Sequence, residues 1–413
     1  MEKSILHCDM NNFYASVECV LNPELKNYAI AVCGSEKERH GIVLAKNYKA
    51  KDKGVKTGDT IWQAKLKCPD IVIIDKPHYD QYAIYSKEAI NIYKRYTDKI
   101  ESMGLDECWL DVTNSIKLFG NPVYIANTLR RQIKNELGLT ISVGVSFNKT
   151  FAKLGSDLKK PDATTVITKE NFKDVVWPLP ISDLLGVGRK TKQLLNKNYI
   201  YTIGDLANEK IERLQYILGK NGARLYDEAN GLEDDDVNYV DYIEEVKSIS
   251  HGITTIKDIK NNDEVWNTML ELSKEISFRL IDKRLRAGGV SVSIRNSELN
   301  WEQFQMKFIT TEQSSINIAK YAFELFKNRY DWHKPVRTVT ISAIYLTNED
   351  VPIQLNVLED NGFKEKLEKA EKCVQGLNLK YGSEIVKNAT LITNNNLPNS
   401  RRKIDYEKNK KQT

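Results

Sequence analysis

Residues 101–113 hold an adjacent pair of acids, Asp106-Glu107, inside an apolar stretch that reads as strand, turn and strand rather than as a charged helix face. Neighbouring carboxylates repel each other, so a fold that sets them in a buried hairpin needs a compensating cation, and a divalent metal supplies one. An exposed Asp-Glu at a hairpin turn satisfies the same local pattern. At 413 residues the chain exceeds what one core covers, which points to about two to four domains. Lys and Arg number 61 against 56 Asp and Glu, a mildly basic balance compatible with a polyanionic partner. Six cysteines (Cys8, Cys19, Cys33, Cys68, Cys108, Cys373) show no CxxC spacing and read as free thiols of a reducing compartment, with no zinc site. The N-terminus lacks a signal-peptide core and no apolar run reaches about 18 residues, so a cytoplasmic chain without membrane contact is expected.

Residues 4–8 suit a buried strand with Asp9 at its end, and after Asn12 the apolar positions Phe13, Val17 and Val20 take helical spacing. An Asp in that place can cap a helix. Combined with Asp106-Glu107, it gives three carboxylates from two strands, a set able to hold two metal ions roughly 3.5–4 Å apart, as in polymerases and nucleases. Strands are expected at 28–33 and 41–47. Residues 47–59 are dense in lysine with two glycines, either a solvated face or a cap over a triphosphate with Tyr48 and Lys51 turned inward. A strand at 71–75, a helix at 79–96, the acidic hairpin, a helix at 125–137 ended by Gly138 and a strand at 140–145 follow. Strand, helix, hairpin, helix, strand is a ferredoxin-like order, the palm of many nucleotidyl transferases. Asp111, just before Val112-Thr113-Asn114-Ser115, reads as a cap rather than a ligand.

Three blocks, in this order and at this spacing, resemble the signatures of Y-family DNA polymerases of the bacterial DinB/UmuC type. They are Asp9-Met10-Asn11-Asn12-Phe13-Tyr14-Ala15-Ser16-Val17-Glu18, Asp106-Glu107-Cys108-Trp109-Leu110-Asp111 and the stretch from Gly144 through Asn148-Lys149-Thr150-Phe151-Ala152-Lys153 to Asp157. The resemblance implies a low-fidelity, template-directed DNA polymerase that bypasses lesions in DNA repair, with primer-template DNA and deoxynucleoside triphosphates as substrates. It implies that Asp9, Asp106 and Glu107 are catalytic and bind two magnesium ions, with the Met10 carbonyl as a further ligand. Phe13 and Tyr14 match the aromatic pair beneath the incoming sugar, and Tyr14 falls on the steric-gate position; Phe13 fits a core aromatic equally well. Tyr48, Lys51 and Lys160 match triphosphate contacts. Three departures stand out: Lys51 replaces a frequent arginine and loses its bidentate fork, Ala45 replaces a hydroxyl, and Asn11 replaces an acid and is left out of the metal set.

Beyond Pro161 the chain reads as helical through Trp177, and Gly186-Val187-Gly188 has the Gly-x-Gly of a helix-hairpin-helix. Such glycines bring backbone N–H groups to a DNA phosphate, with Lys190 and Thr191 beside them, although plain helix-helix turns also carry glycine. An acidic linker follows. Expected strands at 247–255, 289–295, 305–309 and 336–345, with helices at 264–286 and 311–329, make a helix-backed four-stranded sheet that matches the family's little finger. Residues 247–346 carry 15 Lys or Arg against 11 Asp or Glu, and Lys247, Arg295 and Arg337 are candidates for DNA-backbone contact or plain surface positions. Gln354-Leu355-Asn356-Val357-Leu358 resembles peptides that dock on the sliding clamp, with Leu358 in place of the usual aromatic; an incidental apolar patch also fits Gln354, Leu355 and Leu358. A helix at 362–377 and a basic tail at 400–413, expected to be unstructured, end the chain. The expectation is an α+β multidomain monomer: a ferredoxin-like palm (1–11 and 71–165), small fingers (12–70), a helix-hairpin-helix thumb (166–232), a linker (233–246), a little finger (247–347) and a C-terminal segment (348–413). A nucleotidyl cyclase would share the palm but not the thumb, and a non-catalytic DNA-binding protein would not need the three acids.

Overall fold

Strand β1 (Ile5–Met10) is buried along its whole length and forms the centre of a five-stranded sheet. The computed structural model describes residues 2–36, 39, 41–352, 361–381, 385–386 and 389–391. Asn12, at φ 49°, turns the chain into α1 (Phe13–Leu21), which buries Phe13 and Val17 in the palm core and Ala15 and Cys19 against a smaller sheet. That sheet runs in the order β3-β2-β4, from β2 (Ile30–Cys33), β3 (Val43–Lys46) and β4 (Val72–Ile74). Two short helices, α2 (Tyr48–Asp52) and α3 (Ile61–Lys67), pack on it, and a Thr60–Gln63 capping box starts the second.

Helix α4 (Tyr79–Tyr93) returns the chain to the palm, followed by β5 (Ile100–Ser102), β6 (Glu107–Asp111), α5 (Pro122–Gln132), β7 (Ile141–Ser146), α6 (Lys149–Leu158) and β8 (Thr164–Val166). The order β5-β6-β1-β7-β8, with β1 antiparallel to both neighbours, is the ferredoxin-like arrangement extended by one strand. β8 corrects the expectation that the chain is helical straight after Pro161. Its β-branched run Thr164-Thr165-Val166 pairs in parallel with β7, and the helical turn Phe172–Val176 begins only afterwards. Gly144 of β7 lies under α6 so closely that a Cβ there would fall 1.9 Å from the Ala152 carbonyl oxygen and 2.6 Å from the Ser156 nitrogen. This approach brings the lysines of α6 over the end of β1.

The thumb helices α7 (Arg189–Lys197), α8 (Ile203–Ala207), α9 (Ile211–Leu218) and α10 (Lys220–Ala229) enclose Leu195, Ile203, Leu206, Leu214 and Leu225 in one apolar cluster that includes Phe151 and Leu154 of α6. These elements, within Met1–Gly34 and Gly41–Tyr242, make one compact unit; a second begins at Ile243.

In the second unit, β9 (Ser248–Ile259), α11 (Asn262–Asp282), β10 (Leu285–Asn296), β11 (Trp301–Glu312), α12 (Ser315–Arg329) and β12 (Val336–Asn348) form an antiparallel sheet in the order β11-β10-β12-β9, with both helices on its apolar face. The strands run longer than expected, and two helix ends move by about a turn. Helix α11 stops at Asp282, because Arg284 takes a positive φ of 54° and Leu285 and Arg286 already pair with β12. Helix α12 starts at Ser315 rather than 311, because Ser314 caps it and Glu312 still pairs with Ala287. Helix α13 (Asn361–Tyr381) docks through polar contacts, its Glu371 carboxylate accepting from the Ser315 and Ile316 backbone N–H groups at the N-terminus of α12. We expect Gly144→Ala to destabilise the first unit by about 3 kcal/mol, since backbone lies on both sides of the new methyl; the midpoint of urea unfolding measures it, and an unchanged midpoint would show that α6 can move away.

Candidate active site

The antiparallel register of β1 with β6 sets Asp9 opposite Glu107, and the Met10 N–H donates to the Asp106 carbonyl at 2.9 Å just beyond the pair. Asp9 lies within β1, while Asn12 holds the N-cap position of α1, so capping is not the role of Asp9. Lys153, on α6, spans the acids with its Nζ 2.8 Å from Glu107 Oε1, 3.5 Å from Asp9 Oδ2 and 3.3 Å from Asp157 Oδ2. Lys160 joins the same cluster, 2.7 Å from Asp9 Oδ2 and 2.9 Å from Asp157 Oδ1. Lys153 and Asp157 carry no expectation from the sequence; their i,i+4 spacing on one helix was the available signal.

Burial and then the nearby Asp9 charge push the Asp106 carboxyl above its ordinary range. Burial also raises Glu107; Lys153 works against it and Asp9 adds to it. Burial disfavours the Lys160 ammonium, yet Asp9 and Asp157 outweigh that and lift its pKa. Behind the acids, the fully buried His7 is held well below the usual imidazole range by burial and then by Lys153 and Lys160, so it is neutral. Its Nδ1 lies 2.8 Å from Ser156 Oγ and its Nε2 3.7 Å from Glu107 Oε2. Among the described residues no three His, Cys, Asp or Glu side chains form a ready cage for a metal ion. The donor chemistry nevertheless fits a hard divalent cation: carboxylate oxygens only, two of them on groups that burial and then the neighbouring Asp9 charge make harder to ionise.

Asp111 takes no part in this cluster; its carboxylate accepts from the Thr113 N–H at 2.9 Å and pairs with Lys99 at 3.2 Å. Asn11 is likewise engaged elsewhere, with Ser142 Oγ and the Asp162 N–H. Phe13 is 3% exposed within the palm core, whereas Tyr14 lies at its margin, stacked on Tyr82. Tyr48 is half-buried, burial raises its phenol while Lys160 lowers it and Asp9 raises it, and Lys51 lies 5.5 Å from the centre of that ring.

In the thumb, Gly186 needs its positive φ of 86°, and a Cβ there would meet the Arg224 guanidinium at 2.6 Å. Gly188 caps α7, on whose first turn Lys190 is exposed and Thr191 half-buried. In the second unit Arg295 stands over Trp301, Arg337 is half-buried at a bulge in β12, and Lys247 is exposed just before β9. The sheet face turned away from the helices carries three cross-strand rows that the sequence reading passed over. They are Ser250, Ser342, Ser291 and Gln305; Gly252, Thr340, Ser293 and Gln303; and Thr254, Thr338, Arg295 and Trp301. The period-2 alternation of Ser or Thr with Ile or Val was the signal. Gln354, Leu355 and Leu358 lie outside the described residues.

A model of the impB/mucB/samB family matches residues 8–157, and one of that family's C-terminal domain matches residues 246–357. DNA polymerase IV of Acetivibrio thermocellus is 45% identical over 397 residues, covering 96% of this chain and 99% of that protein. The chain belongs to the impB/mucB/samB family. DNA polymerase IV 1 of Bacillus subtilis is 35% identical, over 94% of this chain and 93% of its own. A solved Y-family DNA polymerase chimera shares the fold at a TM-score of 0.73 and 25% identity, covering 84% of this chain and 99% of that one. Together these similarities make the chain a DinB-type Y-family DNA polymerase, and no helix among its described residues is long and apolar enough to cross a membrane.

An acid whose folded pKa is raised favours the neutral form of the fold, so metal-free stability is greatest below the ordinary carboxylate pKa and falls as pH rises through the raised value. Asp106→Asn removes that charge from this family member. Its metal-free melting temperature at pH 7 should rise by about 2–4 °C, with the difference vanishing near pH 4. Thermal melts with chelator across that range measure this, and a lower melting point for the variant at pH 7 would contradict it.

Proposed function

We propose that this chain extends a primer 3′-hydroxyl with deoxynucleotides under template direction, at low fidelity, and across damaged bases. The observation that most supports this reading is the convergence of Asp9, Glu107, Lys153 and Lys160 at one end of the β1–β6 pair in a chain of this family. Asp9, Asp106 and Glu107, with the Met10 carbonyl, would hold two magnesium ions, which when bound neutralise charge on the reacting phosphate and lower the pKa of the attacking hydroxyl. Lys160, Tyr48 and Lys51 receive the triphosphate, with Lys160 already fixed beside the acids at 2.7 Å from Asp9. Tyr14 closes the sugar side, where its ring leaves no room for a ribose 2′-hydroxyl, and Phe13 supports it from the core. Catalysis here is positioning and charge compensation, which suits a cluster of carboxylates and ammonium groups.

Gly186, Gly188, Lys190 and Thr191, at the N-terminus of α7, would grip the duplex backbone. Lys247, Arg295 and Arg337, with the hydroxyl rows of the second sheet, would supply further phosphate contacts. The four-domain division set out above goes with this reading: the small fingers leave little protein over the nascent base pair, in keeping with low fidelity. The working form would be a cytoplasmic monomer, and Gln354, Leu355 and Leu358 would dock it on the sliding clamp.

Primer extension with magnesium on a labelled primer-template tests the core of this reading. Undamaged and lesion-bearing templates should both be extended, and Asp106→Ala should lose about a thousandfold in rate; extension that survives the substitution would refute the assignment of the acids. For the clamp, the full-length chain should be pulled down by the immobilised ring and Gln354→Ala should not; equal capture of both would remove the docking role.

A further inference from the structure

Glu18 lies one helical turn beyond Tyr14 on α1, with its carboxylate only 4% exposed. A carboxylate so buried must be satisfied by donors, and its donors all come from the start of α4. The Tyr82 hydroxyl donates to Oε1, the His78 ring places Nδ1 3.0 Å from both carboxylate oxygens, and the His78 backbone N–H donates at 3.3 Å. His78 is the N-cap residue of α4, so Glu18 fixes both the beginning of that helix and the phenol projecting from its first turn.

Tyr82 is fully buried, and its ring stacks on Tyr14 with centroids 4.3 Å apart and planes 13° from parallel. Tyr79 meets both rings edge-on, at 6.1 Å from Tyr14 and 5.7 Å from Tyr82. Tyr14 thus packs face to face on Tyr82, and Tyr82 cannot tilt without breaking its hydrogen bond to the Glu18 carboxylate. Excluding one hydroxyl group by steric contact demands placement of the excluding ring to well under about 1 Å.

We propose that Glu18 is a positioning residue for sugar selection, holding Tyr14 in place through Tyr82. The inference rests on the reading of Tyr14 as the ring that excludes the ribose 2′-hydroxyl. Glu18 touches neither substrate nor metal in this scheme. It supplies the rigid acceptor behind the stack.

Single-nucleotide insertion by the full-length chain, with kcat/KM measured for a deoxynucleotide and the matching ribonucleotide, tests both levels. Tyr14→Ala should raise the ribonucleotide-to-deoxynucleotide ratio; if it does not, the gate reading fails and the inference falls with it. Tyr82→Phe, which removes one oxygen, and Glu18→Met, which fills the space without an acceptor, should each raise the ratio about tenfold. Glu18→Gln, which still offers Tyr82 an acceptor oxygen, should stay close to the parent ratio. Tyr82→Phe should add nothing in the Tyr14→Ala background. With Tyr14→Ala relaxed, an unchanged ratio in Tyr82→Phe would overturn the inference alone, as would the same tenfold rise on top of Tyr14→Ala. If Glu18→Met does not fold, the near-isosteric Tyr82→Phe still decides.

Discussion

The antiparallel register that sets Asp9 against Glu107 is the constraint on which the site depends. Side chains alternate between the two faces of a strand, so a slip of one residue would turn Asp9 into the core and bring Cys8 to the acidic side. The register is secured by one face and by the second edge of β1: Leu6, Cys8 and Met10 are buried in the palm core, and β7 pairs along the edge opposite β6 from Ile5↔Ser146 to Met10↔Ile141. The missing side chain at Gly144 then lets α6 come close enough for Lys153 to reach both carboxylates. A backbone contact made without regard to charge thereby decides which charges meet.

Like charges brought together in a partly buried place cost stability, and the chain offsets that with its own ammonium groups. Lys153 and Lys160 share Asp9 and both also pair with Asp157, which lies half in solvent and ties the two lysines to one helix end. Burial still leaves Asp106 and Glu107 harder to ionise than ordinary acids, with Asp9 adding to the effect. In the proposed reading a hard cation would relieve the cost of ionising these acids, while the lysines would face the phosphates. A fully neutralised cluster would be more stable and less useful.

What could be read from the sequence follows the range of the interactions. Asp106-Glu107 and Asp9 stood out because each breaks an apolar strand pattern locally, and the ferredoxin-like order followed from helix and strand periods alone. The capped ends of α11 and α12 were misplaced because helical and strand periods overlap around Leu285 and Thr311, where Arg284 and the Ser314 cap decide the outcome. β8 was missed because three residues carry no period, and only pairing with β7 makes them a strand. The role of Lys153 is not legible in its motif, since its partner Glu107 lies 46 residues upstream and nothing local marks the pair.

The same distinction explains why Asp9 of β1 and Glu18 of α1 differ as they do. Glu18 sits in the same signature block as Asp9, and in sequence it is simply the last residue of an amphipathic helix turn. Its burial is intelligible only once α4 has folded back to present His78 and Tyr82, 60 and 64 residues downstream. A buried acid facing a phenol and an imidazole has no need of a metal, because its donors are already fixed by a helix start. Asp9 and Glu107 face the ammonium groups of Lys153 and Lys160 instead. The identity of the donors, a helix start in one case and lysine ammonium groups in the other, separates the carboxylate that holds the structure from those proposed for chemistry.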